Sequence, residues 1–518
     1  MIRYNVTDRV LDMIAQAMEK REKTPLNVEL VLDKSMDEFT GKIRDGVLSG
    51  GSYGQLWDLA GRVLRHPELA KAGVNREFKS HKQICGMYFA SHNKNYLDVA
   101  PLPELFEYII DLALWGMNTF KMWHDMYCYK DMSEAKDQTA RTLAVLRFAK
   151  RIGVKTLLVA LANEPFSDTP PELLADWTCG HDGYIYDLNA HYHLEVCPSK
   201  PGGMEKILAN RRDFLEALKD AHPDYVVFGA YDQGGCTCAE CAPWGSNGFI
   251  RCVKALIPLF KEYWPNTRFI PSLWQFGTFT GNEVEFEGFK AALNNNELED
   301  VDYLISEPQY ASYPFEKGMP RPLLNFPEIS MYQAYPWGGY GGNPLPKLLQ
   351  GLWDKNGDKL EGGLPYSEGF FEDLNKVICL RHYRDNQNAF DTVREYLQWE
   401  FGLEGELLEE VFQAVCDMED TLERKFNWRD TTDHTVRLLH PEKVATIEAA
   451  VIKADAQLPA PVRGSKRWKL IYLRGIIDAE LARAGFVRNQ RLMELFMQVA
   501  DLYYLHDAKE CVRPDIWE

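Results

Sequence analysis

Eight short apolar runs recur along the chain, each ending in polar, acidic or aromatic residues, and stretches with apolar positions three and four apart separate most of them. The runs occupy 84–90, 118–123, 154–162, 225–231, 268–273, 301–305, 329–331 and 364–367. None alternates strictly between apolar and polar positions, which is the pattern of a strand covered on both faces. Between the first two, Leu105, Ile109, Leu112 and Ala113 mark the buried stripe of a helix over 103–115, and similar spacing predicts another over 135–151. This alternation predicts an α/β fold, a (β/α)8 TIM barrel spanning 81–380. A doubly wound open sheet would share it, but eight repeats and the lack of a glycine-rich phosphate fingerprint favour closure.

The flanks follow other patterns. Residues 1–80 predict a small N-terminal α/β domain, with a strand over 28–32 and an amphipathic helix entered from the Gly51–Leu59 stretch. From Asp373 onward strand signals stop. Leu397, Phe401, Leu407, Val411, Phe412 and Val415 recur at helical spacing, and so do the apolar residues of 468–505, predicting a C-terminal helical domain over 381–518. Pro459 and Pro461 mark a break within it.

With 518 residues and 46% hydrophobic content, the chain can bury a full barrel core plus accessory domains. A net charge of −18 and a pI near 5.3 argue against nucleic acid as a partner, because phosphate neutralisation needs a basic stripe. No apolar run approaches membrane-spanning length, and the first residues lack the apolar stretch of a secretory signal. Eleven cysteines, an odd number, suit a reducing compartment better than a disulfide framework, so the expectation is a cytoplasmic protein with no membrane partner. The helical C-terminal domain is the surface on which a homo-oligomer would be expected to form.

The stretch Gly86 to Asn93, followed by Leu105 to His124, resembles the opening of barrel glycosidases of the β-N-acetylhexosaminidase (family 20) and α-glucuronidase kind. Gly363-Leu364-Pro365-Tyr366-Ser367-Glu368 resembles their eighth strand, and the segment around 51–61 their small domain before the barrel. The resemblance is spread over about 25–380 and implies a glycoside hydrolase, with Glu368 holding sugar hydroxyls. One position departs from it. Family 20 enzymes place an Asp-Glu pair after strand four, the Asp orienting the acetamido group and the Glu serving as acid. Here the matching pair is Asp232-Gln233, and a glutamine cannot donate and regain a proton at neutral pH.

Glycoside cleavage needs two carboxyl groups, and four stand at strand ends: Glu164, Asp232, Glu307 and Glu368. In a parallel barrel they would share one mouth, where burial beside a second carboxylate raises the pKa of one and leaves the other ionised. Asp232 and Glu164 are the favoured catalytic pair, with Glu307 able to replace either. Each alone could instead cap the helix that follows. Trp123, Tyr231, Trp274, Tyr332 and Trp337 are candidate walls for a carbohydrate substrate, although tryptophan is commonly core. His92, Asn93, His124, Asn163, Gln233 and Gln333 are candidate partners for sugar hydroxyls, although a strand-end histidine can equally tie down a loop.

Cys236, Cys238 and Cys241 lie within six residues just after Asp232, and Cys197 lies in the long connection after the third run. Four thiolates so spaced suit a structural zinc site with no open coordination position, set against a reading as reduced buried thiols or one disulfide. No organic cofactor is expected. The leading expectation is an exo-acting glycoside hydrolase that removes a terminal amino or acidic sugar. A non-catalytic carbohydrate-binding barrel, motivated by Gln233, and a metal-dependent barrel hydrolase using His92 and His124 are the alternatives.

Overall fold

The computed structural model describes residues 1–91, 96–124, 132–163, 169–176, 195–231, 234–278, 280–309, 311–330, 334–335, 337, 342–367, 373–424 and 437–504. The chain divides into two compact units, one of residues 1–118, 328–357 and 365–518, the other of 119–327 and 358–364.

The second unit carries seven parallel strands in sequential order: Thr119–Met122, Lys155–Leu161, Tyr225–Gly229, Arg268–Pro271, Leu304–Ser306, Leu323–Asn325 and Leu360–Gly363. The strands Arg268–Pro271 and Leu304–Ser306 join through parallel bridges at Phe269↔Val301 and Ser272↔Ile305. Helices Met132–Arg151, Gly203–Ala217, Gly248–Tyr263 and Val284–Asn294 alternate with the early strands. Strand side chains such as Leu157, Leu158, Val226, Phe228, Phe269, Ile270, Leu304 and Leu324 form the core, consistent with runs that lack alternation.

The first unit contributes the remaining barrel strand, Ile84–Phe89, buried along its whole length. Tyr366–Ser367 pairs parallel with it, and Glu328–Ser330 pairs parallel with Tyr366–Ser367. The fold is a (β/α)8 barrel, as the alternation predicts, in which strands seven and eight are each built in two pieces. The sequence pattern locates only the second piece of each. Pro322 and Pro327 bracket Leu323–Asn325, and Pro365 separates Leu360–Gly363 from Tyr366–Ser367. Proline lacks the N–H that a continuous ladder requires. A register shift between Leu323 and Leu324 skips Glu361, and Gly362 there takes φ 141°, a bulge geometry open to glycine.

Also in the first unit, a five-stranded sheet has the order Ile2–Arg3, Val28–Leu32, Val47–Gly50, Thr40–Arg44, Asn75–Lys79. The expected strand over 28–32 is present, and the expected amphipathic helix runs Tyr53–Arg65, with Ser52 accepting from the Gln55 N–H. Asp8 caps the other helix, Arg9–Arg21, accepting from the N–H groups of Val10 and Leu11 at 2.9 and 3.2 Å. The C-terminal helices include Asp373–Asp385, Ala389–Phe401, Gly405–Asp420, Val444–Gln457, Lys466–Arg483 and Gln490–Leu502. Among the described residues one departure from all-helical structure appears there: Glu423–Arg424 pairs antiparallel with Ala334–Tyr335. Among the described residues no helix is long and apolar enough to cross a membrane.

Candidate active site

Strands three and four lie in register, Leu161 opposite Gly229, and the chain beyond each is tied to the other by one amide. Asn163, fully buried, donates from Nδ2 to the carbonyls of Val196 (3.0 Å) and Gly235 (2.7 Å) and accepts the Gly235 N–H on Oδ1 (2.8 Å). Glu164 and Asp232 lie outside the described residues, but Asn163 immediately precedes the first and Gly235 follows the second by three positions. A Cβ on Gly234 would stand 2.9 Å from both the Ala230 carbonyl and Asn163 Oδ1, so the close approach uses glycine. Asn163 therefore ties the chain beyond strand three to that beyond strand four, with its whole amide committed to backbone.

Glu307 follows strand six. Its side chain is 1% exposed, and Oε1 accepts the Gln309 N–H at 3.1 Å. It is the one described member of the four candidate carboxylates, because Glu368 also lies outside the described residues, as do His92, Asn93, Gln233, Tyr332 and Gln333.

The described aromatic candidates divide into two kinds. Trp274, after strand five, is half-buried, with its ring edge-on to Phe326 at 5.4 Å, so part of its surface is open as a sugar wall requires. Trp123, at the end of strand two, is 9% exposed. Tyr231 is buried, and its hydroxyl donates to Glu285. Trp337 is fully buried, donates from Nε1 to Asp478 at 2.8 Å and packs against Phe496, so it anchors helices instead of forming a wall.

His124 has a similar structural placement. Its two ring nitrogens stand 3.1 Å from the hydroxyls of Thr139 and Thr142 on the helix that follows, and burial pushes its pKa down to about 4. A neutral histidine with both nitrogens so engaged ties its strand to that helix. Sequence reasoning missed Glu285, which is fully buried at the start of helix Val284–Asn294 and also accepts the N–H groups of Gly245 and Gly277, each at 2.8 Å. Three acids, Glu283, Glu285 and Glu287, crowd that first turn, and nothing in their spacing marks the middle one as buried.

Near strand four, the sulfur atoms of Cys197, Cys236, Cys238 and Cys241 all lie within 4.8 Å of one another. Hydrogen bonds from Cys236 and Cys241 hold the Cys197 thiol below the ordinary range, and the same contact pushes Cys236 up to about 12. Among the described residues this is the one cluster with metal-ligating spacing.

No family model and no curated protein matches the sequence. Solved structures do match. A family 89 glycoside hydrolase from Clostridium perfringens, in complex with PUGNAc, aligns with 96% of this chain and 65% of its own at TM-score 0.63 and 11% identity. The same organism's family 89 enzyme in complex with its substrate GlcNAc-α-1,4-galactose aligns with equal TM-score and identity over 64% of that chain. A family 138 enzyme targeting pectin rhamnogalacturonan II aligns with 98% of this chain and 73% of its own at TM-score 0.58 and 9% identity. The likeness is one of fold. The chain spans just under two thirds of the length of the family 89 enzyme.

Proposed function

We propose that the protein is an exo-acting glycoside hydrolase that removes a terminal sugar, with Asp232 and Glu164 as the catalytic pair and Glu307 beside them. The observation that carries this reading is the Asn163 tie, which couples the ends of strands three and four where those two acids stand in sequence. A buried strand-end carboxylate at Glu307 supports it, as does a fold shared over nearly the whole chain with glycoside hydrolases. Hydrolysis divides two tasks between carboxyl groups, protonation of the leaving oxygen and attack or water activation at the anomeric carbon. The half-buried Trp274 is the candidate face for stacking a sugar ring. An amino sugar heads the candidate substrates, since the family 89 enzyme of like fold was captured with a GlcNAc-terminated disaccharide. Glu368 is assigned to gripping hydroxyls.

The test is a panel of nitrophenyl glycosides, N-acetylglucosaminides of both anomers first and uronides next. Asp232→Asn is expected to lower kcat/KM on the best substrate by roughly 10²–10⁴ with an unchanged circular dichroism spectrum. Near-normal turnover in that variant would overturn the assignment. Gln233, standing where family 20 has its acid, favours a second reading as a carbohydrate-binding barrel. Sugar binding by the wild type with no hydrolysis across the panel would select it. Cys197, Cys236, Cys238 and Cys241 are thiols outside any disulfide, which suits a reducing, cytoplasmic setting.

A further inference from the structure

We propose that Cys197, Cys236, Cys238 and Cys241 bind one zinc ion as a closed, structural tetrathiolate site. A zinc ion with four Zn–S bonds of about 2.3 Å requires sulfur atoms about 3.8 Å apart along every edge of its tetrahedron. Cys197 Sγ lies 3.8 Å from Cys238 Sγ and 3.9 Å from Cys241 Sγ, and the whole set lies within 4.8 Å. A disulfide would join two sulfurs at about 2.05 Å and leave the other two without a purpose in the cluster. None of the four is in a disulfide, and Cys238 alone is not fully buried.

The surroundings are built for thiolates. The Ser199 hydroxyl lies 3.0 Å from Cys241 Sγ and is itself held by Arg251. That hydroxyl and the guanidinium behind it offset part of the negative charge that four thiolates retain around a divalent ion. Glycine permits the close packing: a Cβ on Gly203 would stand 1.9 Å from the Cys197 carbonyl. An all-sulfur tetrahedral donor set selects zinc over magnesium or calcium, and it leaves no position open for catalysis.

The ion would clip together two pieces of chain that also meet at the Asn163 amide. Cys197 sits where the excursion after strand three returns, its N–H bonded to the Leu173 carbonyl at 2.8 Å. The other three follow strand four, where Thr237 N–H bonds the Asp176 carbonyl at 2.5 Å. The clip thus holds the Cys236–Cys241 segment beyond strand four against Cys197.

The test measures metal in the full-length protein after incubation with excess zinc and desalting. About one zinc per chain is expected, released in step with titration of thiols by an organomercurial. Cobalt exchanged into the site should give the intense visible bands and thiolate charge transfer of tetrahedral cobalt-sulfur coordination. Cys238→Ser is expected to retain less than roughly one fifth of the zinc and to melt several degrees lower, while Cys252→Ala, a buried thiol outside the cluster, keeps its zinc. Wild-type protein with substoichiometric metal, a full complement of iron instead, or an octahedral cobalt spectrum would each overturn the proposal, and none of these readouts depends on a variant folding.

Discussion

Asp478 in the first unit and Glu285 in the second are both fully buried carboxylates, and they are held by different chemistry. Asp478 is paired with Arg474 one helical turn away at 2.8 Å, and that guanidinium also reaches the carbonyls of Gly342 and Met418 and the side chain of Asn343. Glu285 instead collects two backbone N–H groups and a phenol. The same contrast recurs at Asp58, where burial disfavours the charge but Arg62, Arg384 and Arg381 outweigh it and hold the carboxyl well below the usual range. In the first unit a cation gathers several segments around a buried acid. Around strands four and five a single acceptor, Glu285, gathers loop backbone. The difference predicts what each region loses when its organiser is removed: a stranded ion in one case, unmatched dipoles in the other.

The sharpest way to break this contrast is Arg474→Met, which strands Asp478 and should cost about 3–5 kcal/mol in urea unfolding. Replacing Asp478 by Leu in the same chain should recover most of the loss. A double variant as unstable as the single one would show that charge is not what matters there. Glu285→Gln should cost less, about 1–3 kcal/mol, because it loses acceptor capacity without leaving a charge. A loss matching that of Arg474→Met would erase the distinction. The smallest effect is one the two units share. Burial pushes His382 down to about 3 and His124 down to about 4. Both fold neutral, so their contribution is complete above the unfolded value of about 6.5 and declines as pH falls towards the folded values, by about 1.4 kcal/mol per pH unit for each. His124→Gln should therefore flatten the stability profile between pH 6 and 5 by one proton, and an unchanged slope would contradict the neutral assignment.

Much of this architecture is legible in the residues themselves. The long apolar runs became strands because a doubly covered strand has no polar face to disguise it, and Ile84–Phe89 and Lys155–Leu161 are the clearest cases. The first pieces of strands seven and eight were hidden: three residues between prolines, and a Leu-Glu-Gly-Gly stretch whose glycines resemble a turn. The candidate site was legible in residue type more than in role. Asn163, His124, Tyr231 and Trp337 stand at the ends or edges of the expected elements, yet their polar atoms face protein partners, a matter of orientation that spacing does not encode. The Arg474–Asp478 pair did carry a signal, two opposite charges one turn apart within the mostly apolar stretch that holds Leu473, Ile476 and Ile477. The cysteines were the most readable as a group: three thiols in six residues and the distant Cys197 do come within 4.8 Å of one another.

The Asn163 amide has a consequence for how this barrel can change. Its NH₂ group donates two hydrogen bonds and its carbonyl accepts one, and all three reach across to neighbouring backbone at Val196 and Gly235. Transplanting either flanking loop alone from another barrel would orphan those groups in a dry interior. Exchanging the two loops together with Asn163 would keep all three bonds, whereas a substitution at the half-buried Trp274 leaves them untouched.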